Sequence, residues 1–403
     1  MDILLISRCP PFPIYHGDRL IPYHLARELS ARGNQIDLLA FYQSASDLAD
    51  VPRYSRLFRD VKLIREPQRT PAAYFRRSRN AGARFPTSAN ESWSPEMWNA
   101  IKTMLDDRTY SAVHFFGGIQ VYEFRHLAKS HPKVIVPYES YSLWLERAVE
   151  DDDSRLGRWF KQAQLHMARN YESWMFEGFD RVVLLTAIDA QKLNSLNPDL
   201  PTVVIPNGVD VEAFSSTGYE PDDPTLLFLG NYDYAPNLDA AMRLVRDIFP
   251  RILHAEPEVR LYLVGSHPPP ELRAYASAHI EITGRVPDIR PYFEYSKIFI
   301  SPLQLGAGIK NKILEALAMQ TPVVATPLSC DGIPVEHGQH VMLGETNDDL
   351  VKLTLQLLSN EKLRYRLRLA GRQLVQQQFT WSRVADQYEQ LYRQLLDEYR
   401  YSV

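Results

Sequence analysis

The stretch 301–326, SPLQLGAGIKNKILEALAMQTPVVAT, constrains the fold more than any other part of the chain. An apolar run, Ile298 to Ile300, leads into it, and Gly306-Ala307-Gly308 makes a turn. Ile309, Ile313, Leu314 and Leu317 then recur at helical spacing, and residues 322–325 read as a buried strand. Strand, turn, helix and strand in so short a span is the unit of a parallel sheet. Between its apolar walls sit Lys310, Lys312 and Glu315. A small-residue turn at a helix start leaves backbone N–H groups facing outward, and the helix dipole favours an anion there. Two lysines in a first turn oppose that dipole unless an anion sits among them. Glu315 follows about a turn and a half beyond Lys310, where a carboxylate can accept hydrogen bonds from sugar or ribose hydroxyls. The pattern reads as a site for a nucleotide diphosphate carrying a sugar. The alternative is structural, because any strand–turn–helix unit can carry Gly and Lys at these places.

The rest of the chain repeats the same alternation. Residues 1–7 read as a strand, followed by a loop with Pro10, Pro11 and Pro13 that ends at Gly17. A helix from residue 18 or 19 to 32 and a strand at 35–41 come next. Strands are expected at 112–116, 134–136, 182–185 and 203–205, with one long helical region over 141–178. Pro206-Asn207-Gly208 is a turn, and Pro221-Asp222-Asp223-Pro224 continues a linker near 207–224. The pattern then restarts, with strands expected at 226–229, 260–264, 280–282, 297–300, 322–325 and 340–343. Helices are expected at 238–254, 270–278, 288–295, 310–318, 348–359 and 361–379. A last helix from 382 to about 399 has no strand after it. The expected architecture is α/β, with two Rossmann-like domains whose parallel sheets face an interdomain cleft. The expected divisions are 1–206, 207–380 and a terminal helix, 381–403, packing back on the first domain. Ligands of such sheets bind beyond the carboxyl ends of the strands, where the loop 9–17 also lies.

Composition narrows the function. With 403 residues and a formal charge of −4, the chain has no overall nucleic-acid signature. Its two cysteines, Cys9 and Cys330, form no metal-type spacing and suit a reducing, cytoplasmic setting. No apolar run reaches the length of about 18 residues that a membrane span needs. Residues 51–84 carry ten basic side chains against two acidic ones, with Tyr54, Phe58, Tyr74 and Phe75 interleaved. That stretch is either a solvated face or a surface for an anionic membrane or a pyrophosphate-bearing acceptor. The Asp-x-Asp at 151–153 is set aside as a metal site, because a metal–phosphate carboxylate pair should follow a strand.

Several blocks together resemble the C-terminal domain of GT-B glycosyltransferases of family four. They are PNGVDVEAF at 206–214, LLFLGN at 226–231, LYLVGS at 261–266, ITGRVPDIRPYF at 282–293 and KILEALAMQTPVVAT at 312–326. The N-terminal half fits through its first strand, the loop to Gly17 and ARELSARGNQIDLL. The resemblance implies a retaining, metal-independent transferase with no cofactor. It would move a sugar from a UDP-, GDP- or other nucleotide-sugar to a lipid-linked or glycan acceptor in polysaccharide biosynthesis. It would work in the cytoplasm, in peripheral contact with a membrane through residues 51–84.

Carried over residue by residue, Glu315 matches the second Glu of the family's Glu-x7-Glu pair, which holds the donor ribose. The first Glu is replaced by Ala307. The diphosphate-binding Arg and Lys of the family are replaced in GNYDYAPNLD by Asn231 and Asn237, so Lys310 and Lys312 stand in for them. Gly308, Ile309 and Lys310 would offer backbone N–H groups near the phosphates, and Gly230, Asn231, Arg285 and Asn311 are further donor-binding candidates. Val286 falls where the backbone reads the base, and Gly17 where the first domain approaches the donor. A family His is replaced by Tyr138-Glu139-Ser140, which makes Glu139 a candidate beside the acceptor. The expected catalytic set is therefore Lys310, Glu315 and Glu139. Two other readings share the fold: a nucleotide-sugar epimerase, and a binding subunit without turnover.

Overall fold

The computed structural model describes residues 1–14, 17–150 and 154–401. The aspartates 151–153 lie outside them. The chain divides into two compact units: Met1–Asn207 with Trp381–Val403, and Gly208–Thr380.

The first unit carries β1 (Asp2–Ser7), β2 (Gln35–Tyr42), β3 (Asp60–Arg65), β4 (Ala112–Phe116), β5 (Lys133–Tyr138), β6 (Arg181–Leu184) and β7 (Thr202–Val204). Their order across the sheet is β3-β2-β1-β4-β5-β6-β7, and every pair is parallel. Strands covered on both faces read as unbroken apolar runs. AVHFF of β4 is buried at every position. β3 falls inside the basic stretch, where no strand was expected. It is an edge strand, and its exposed residues Asp60, Lys62 and Arg65 are the charges that keep an edge from pairing further.

The basic stretch is also less of a free patch than its composition suggests. Arg59 forks onto Asp37 and bonds Asp2. Arg69 pairs with Glu66, and buried Arg77 pairs with buried Glu123. These guanidiniums balance carboxylates within the unit, because a buried charge requires a partner. The helical region expected over 141–178 is two helices, Tyr141–Glu150 and Arg155–Glu172. Glu172 folds back to accept from the backbone N–H of Tyr141 (2.6 Å) and Ser142 (3.2 Å), closing the N-terminus of the first of them.

The terminal helix, Trp381–Tyr401, belongs to this unit. Trp381 stacks on His24 of the helix Gly17–Ala31, with ring centroids 4.5 Å apart. Arg32 bonds Asp386, Glu389 and Ser382. The Tyr392 hydroxyl meets His114 Nδ1 on β4 at 2.5 Å. Full burial pushes the His114 imidazole down to about 3, so it stays neutral under the helix.

The second unit carries β8 (Thr225–Leu229), β9 (Arg260–Val264), β10 (Ile280–Gly284), β11 (Ile298–Ser301), β12 (Val323–Ala325) and β13 (Met342–Leu343). The order is β10-β9-β8-β11-β12-β13, again all parallel. Its core is a separate cluster around Phe228, Phe249, Leu261 and Ile300. The expected helix over 238–254 is interrupted: Ala235–Arg243 widens into a π turn, Leu244–Ile248, before Phe249–Ala255. Pro250 explains the widening, since it offers no N–H to the carbonyl four residues back. The helix expected over 270–278 shrinks to Pro270–Arg273. Entry and exit of the unit are pinned together, Val209 N–H donating to the Phe379 carbonyl at 2.6 Å.

Trp381→Ala removes the stack on His24 and leaves a cavity under the terminal helix. The expected cost is about 3–5 kcal/mol, seen by calorimetry of the full chain as a fall of roughly 10 °C in the transition of the first unit. An unchanged transition would mean that the terminal helix does not stabilise that unit.

Candidate functional site

In the second sheet, building proceeds outward from β8 in one direction and from β11 in the other. β8 and β11 are neighbours, with Ile298 opposite Leu226 and Phe299 opposite Leu227. Where a parallel sheet reverses its order in this way, the loops at the strand ends splay apart and leave a ligand crevice. The loop after β8 begins with Gly230-Asn231, and the loop after β11 is the glycine turn that leads to Lys310.

That turn requires glycine at two positions. Gly306 has φ +117° and Gly308 φ +68°, where L side chains are strained. Lys310 is the N-cap of the helix Asn311–Ala318, in extended conformation, rather than a residue of its first turn. Its buried ammonium donates to the carbonyls of Ala307 (2.9 Å) and Gly308 (2.6 Å). A Cβ on Gly306 would stand 3.5 Å from Lys310 Cε and 3.6 Å from the Tyr234 hydroxyl. Tyr234 therefore joins the site, a residue that sequence reasoning passed over within GNYDYAPNLD because it carries no charge.

Lys312 turns out differently from the expectation of an open phosphate ligand. Its ammonium reaches across the switch point to the Leu229 carbonyl at the end of β8 (2.8 Å) and to Asn237 Oδ1 (2.6 Å). It also lies 4.7 Å over the Phe228 ring. Asn237 in turn donates to the Asn231 carbonyl at 3.0 Å. A lysine from one side of the crevice thus carries its charge to the loop on the other side, where this chain has Asn231 and Asn237. Burial, helped by the neighbouring Lys310 charge, lowers the Lys312 ammonium to about 7.

Glu315 lies one turn along the same helix and is half-buried. Burial raises its carboxyl to about 7, opposed by the Lys312 charge. Its carboxylate makes no hydrogen bond or ion pair among the described residues. A buried carboxylate with accepting capacity to spare suits a ligand hydroxyl. Ala307, where the resemblance wants another Glu, is buried and apolar. Ile309 is also buried.

Glycines line the neighbouring strand ends. Gly265 follows β9, and a Cβ there would lie 1.6 Å from the Gly230 carbonyl oxygen. Its N–H donates to the Gly284 carbonyl at the end of β10. Arg285 and Val286 come directly after Gly284, at the edge of the sheet. Asp233 and His267 face each other at 2.7 Å from the loops after β8 and β9. Gly265 is absent from the expected site, although LYLVGS was part of the resemblance.

The remaining two candidates belong to the first unit. Gly17 begins a helix after the loop from β1, and Glu139 follows β5. Tyr138 holds a left-handed φ of +76°, uncommon for a residue with a side chain, and donates its hydroxyl to the Asp18 carbonyl at 2.8 Å. Tyr138 thereby ties the Gly17-Asp18 turn to the strand end that presents Glu139. The Arg8 guanidinium pairs with Asp18 at 2.8 Å and lies 5.1 Å from the centre of the Tyr138 ring. Among the described residues no group of three His, Cys, Asp or Glu side chains is placed to hold a metal ion. No described helix is long and apolar enough to cross a membrane.

A family described as Glycosyltransferase Family 4 matches residues 22–213, and one described as Glycosyl transferases group 1 matches residues 223–360. The chain belongs to the group 1 glycosyl transferases. The phosphatidyl-myo-inositol mannosyltransferase of Mycobacterium tuberculosis is 31% identical over 205 residues, 47% of this chain and 53% of that protein. This chain spans about half the length of the curated mannosyltransferases it matches. An uncharacterised 44.6 kDa protein in the cps region of Klebsiella pneumoniae is 19% identical over 87% of this chain and 88% of that protein. Among solved structures, sucrose-phosphate synthase from Thermosynechococcus elongatus superposes with a TM-score of 0.72 at 20% identity, over 98% of this chain and 99% of that one. Anabaena HepE in complex with UDP superposes at 0.71 with 13% identity, over 98% and 100%. The fold of this group 1 glycosyl transferase is therefore GT-B, two α/β units with parallel sheets of seven and six strands.

In this glycosyl transferase, Gly265→Ala would drive a methyl group into the backbone of Gly230. No side chain can yield there, so β8 and β9 must separate at their carboxyl ends. The expected outcome is a lower melting temperature for the second unit, measured by calorimetry. A variant with wild-type melting would contradict this packing.

Proposed function

We propose that the chain transfers a sugar from a nucleotide-diphosphate donor to an acceptor hydroxyl, with retention at the anomeric carbon and without a metal ion. One observation carries the reading: Lys310, Lys312 and Glu315, whose carboxylate makes no hydrogen bond among the described residues, gather at the switch point of a parallel sheet. Anabaena HepE, a neighbour of the same fold, has been solved in complex with UDP and with UDP-glucose, which supports the donor class.

Chemically, the bond between the anomeric carbon and the β-phosphate oxygen breaks, and its electron pair leaves with the diphosphate. The acceptor oxygen forms the new bond from the same face, and its proton passes to the departing phosphate oxygen. Charge grows on the diphosphate as the bond breaks, so cations near it stabilise the transition state more than the ground state. Lys310 and the backbone N–H groups of Gly308, Ile309 and Lys310 act on that charge directly. Lys312 supplies a second, buried positive charge from behind Asn237. Glu315 accepts from the ribose, Arg285 and Val286 border the base, and Glu139 stands by the acceptor. Ala307, in place of a carboxylate, leaves the donor sugar to be recognised by other groups. The acceptor is a lipid-linked or glycan hydroxyl of polysaccharide assembly.

Lys310→Ala should lower turnover by about 10²-fold, the usual loss for one electrostatic stabiliser, measured as product formation by purified protein. Near wild-type turnover would remove Lys310 from the mechanism.

Donor affinity should also depend on pH in a particular way. A nucleotide-sugar has two phosphodiester groups that do not titrate near neutrality. Lys312, depressed to about 7, loses its charge as pH rises through that value, which weakens anion binding. Glu315, raised to about 7, loses its charge as pH falls through that value, which weakens hydroxyl recognition. Calorimetric affinity should therefore peak near neutrality, and Glu315→Gln should keep only the alkaline limb. A flat profile across neutral pH, or an unchanged acid limb in the variant, would contradict these roles.

A further inference from the structure

The first unit holds a cavity of about 950 Å³ that none of the donor residues lines. That is the upper end of the usual range for small-molecule sites, about 300–1,000 Å³. Arg8 and Glu139, just beyond the carboxyl ends of β1 and β5, bring charged groups to its lining. Much of the rest is apolar, with Phe75, Ile119, Met167 and Met175, although Gln120, Tyr141, Gln164 and Glu172 also line it. The predominance of apolar side chains suits a ligand with an apolar portion.

The helix Arg155–Glu172 shows where the apolar wall leads. Tyr171, Met167 and Gln164 line the cavity at helical spacing. The same face continues toward the start of the helix through Phe160 and Leu156, which are 55% and 67% exposed, with Trp159 beside them at 61%. Three large apolar side chains in a row on one exposed helix face are unusual for a protein surface. Arg155 and Arg158 stand among them, also exposed. Aromatic and aliphatic residues interleaved with arginine on a helix suit the surface of an anionic bilayer.

We propose that the acceptor is an amphiphile drawn from a bilayer. Its hydroxyl-bearing head lies at Arg8 and Glu139, and its apolar chain lies in the cavity along Met167 and Phe75 toward Phe160 and Leu156. The acceptor role rests on the transferase reading above, whereas the chain-binding role rests on the cavity alone. Membrane contact then centres on the helix Arg155–Glu172 rather than on residues 51–84, several of whose arginines are spent on internal carboxylates.

The test uses the full chain and dansyl-undecanoate, a fluorescent fatty acid, as probe. Saturable binding is expected, weakened at least about tenfold by Met167→Glu or Phe75→Glu, because each places a charge against the chain. Both positions are partly exposed, so folding should survive, and an unchanged melting transition of the first unit verifies it. The full chain should also sediment with phosphatidylcholine–phosphatidylglycerol vesicles, and Trp159→Glu with Phe160→Glu should abolish this. Absence of probe binding, or equal binding by wild type and both variants, would overturn the proposal. So would vesicle binding that survives the double substitution. Persistence of the nucleotide shift in those cases would leave the transferase reading standing. Probe binding as expected, in a chain that shows no nucleotide shift, would instead overturn the acceptor role together with that reading.

Discussion

Lys312 stands on a helix that follows β11, yet its ammonium is bonded to the last carbonyl of β8 and to Asn237 beyond it. The bond closes the two halves of the second sheet across their switch point. It carries positive charge to a loop that has asparagines and no base of its own. Three N–H groups on one ammonium allow this, because two can brace the protein while the charge still acts on an anion nearby. Burial lowers the proton affinity of Lys312 and raises that of Glu315, the latter against the pull of the Lys312 charge. Perturbed groups gathered in a crevice mark a candidate functional site.

The first unit meets a different demand. Strain at Tyr138, whose left-handed backbone is fastened by a hydroxyl bond to Asp18, lies directly before Glu139. Glu172, buried beneath the next helix, fixes that helix start through backbone N–H groups. Here the positions at the strand ends are held by side chains. In the second unit they are held by glycine backbones packed against one another, as at Gly265 and Gly230.

Much of this architecture was legible in the residues because central parallel strands are unbroken apolar runs. Leu226 to Leu229 and Ile298 to Ile300 could be read directly, and so could the glycine turn before Lys310. β3 could not, because an edge strand alternates charge with burial and resembles a basic loop. The widened turn before Phe249 was hidden because Pro250 sits where a regular helix pattern continues on either side. The direction of Lys312 was hidden for another reason. Position in a sequence places a side chain on a helix face, but the partners that capture it, the end of β8 and Asn237 on the helix after it, lie more than seventy residues away. The cavity was illegible for the same cause, since Arg8, Phe75, Ile119, Glu139 and Met167 converge only after the sheet has formed.

The central claim is that the turn 306–310 and its two lysines receive a nucleoside diphosphate. A crystal structure of the chain with its tightest-binding nucleoside diphosphate tests it most directly. The account predicts the β-phosphate within hydrogen-bonding distance of the Lys310 ammonium and of backbone N–H groups at 308–310. It also predicts the ribose hydroxyls on Glu315 and Lys312 still on the Leu229 carbonyl. A diphosphate bound elsewhere in the second unit, with Lys310 unmoved on the Ala307 and Gly308 carbonyls and Glu315 untouched, would contradict it.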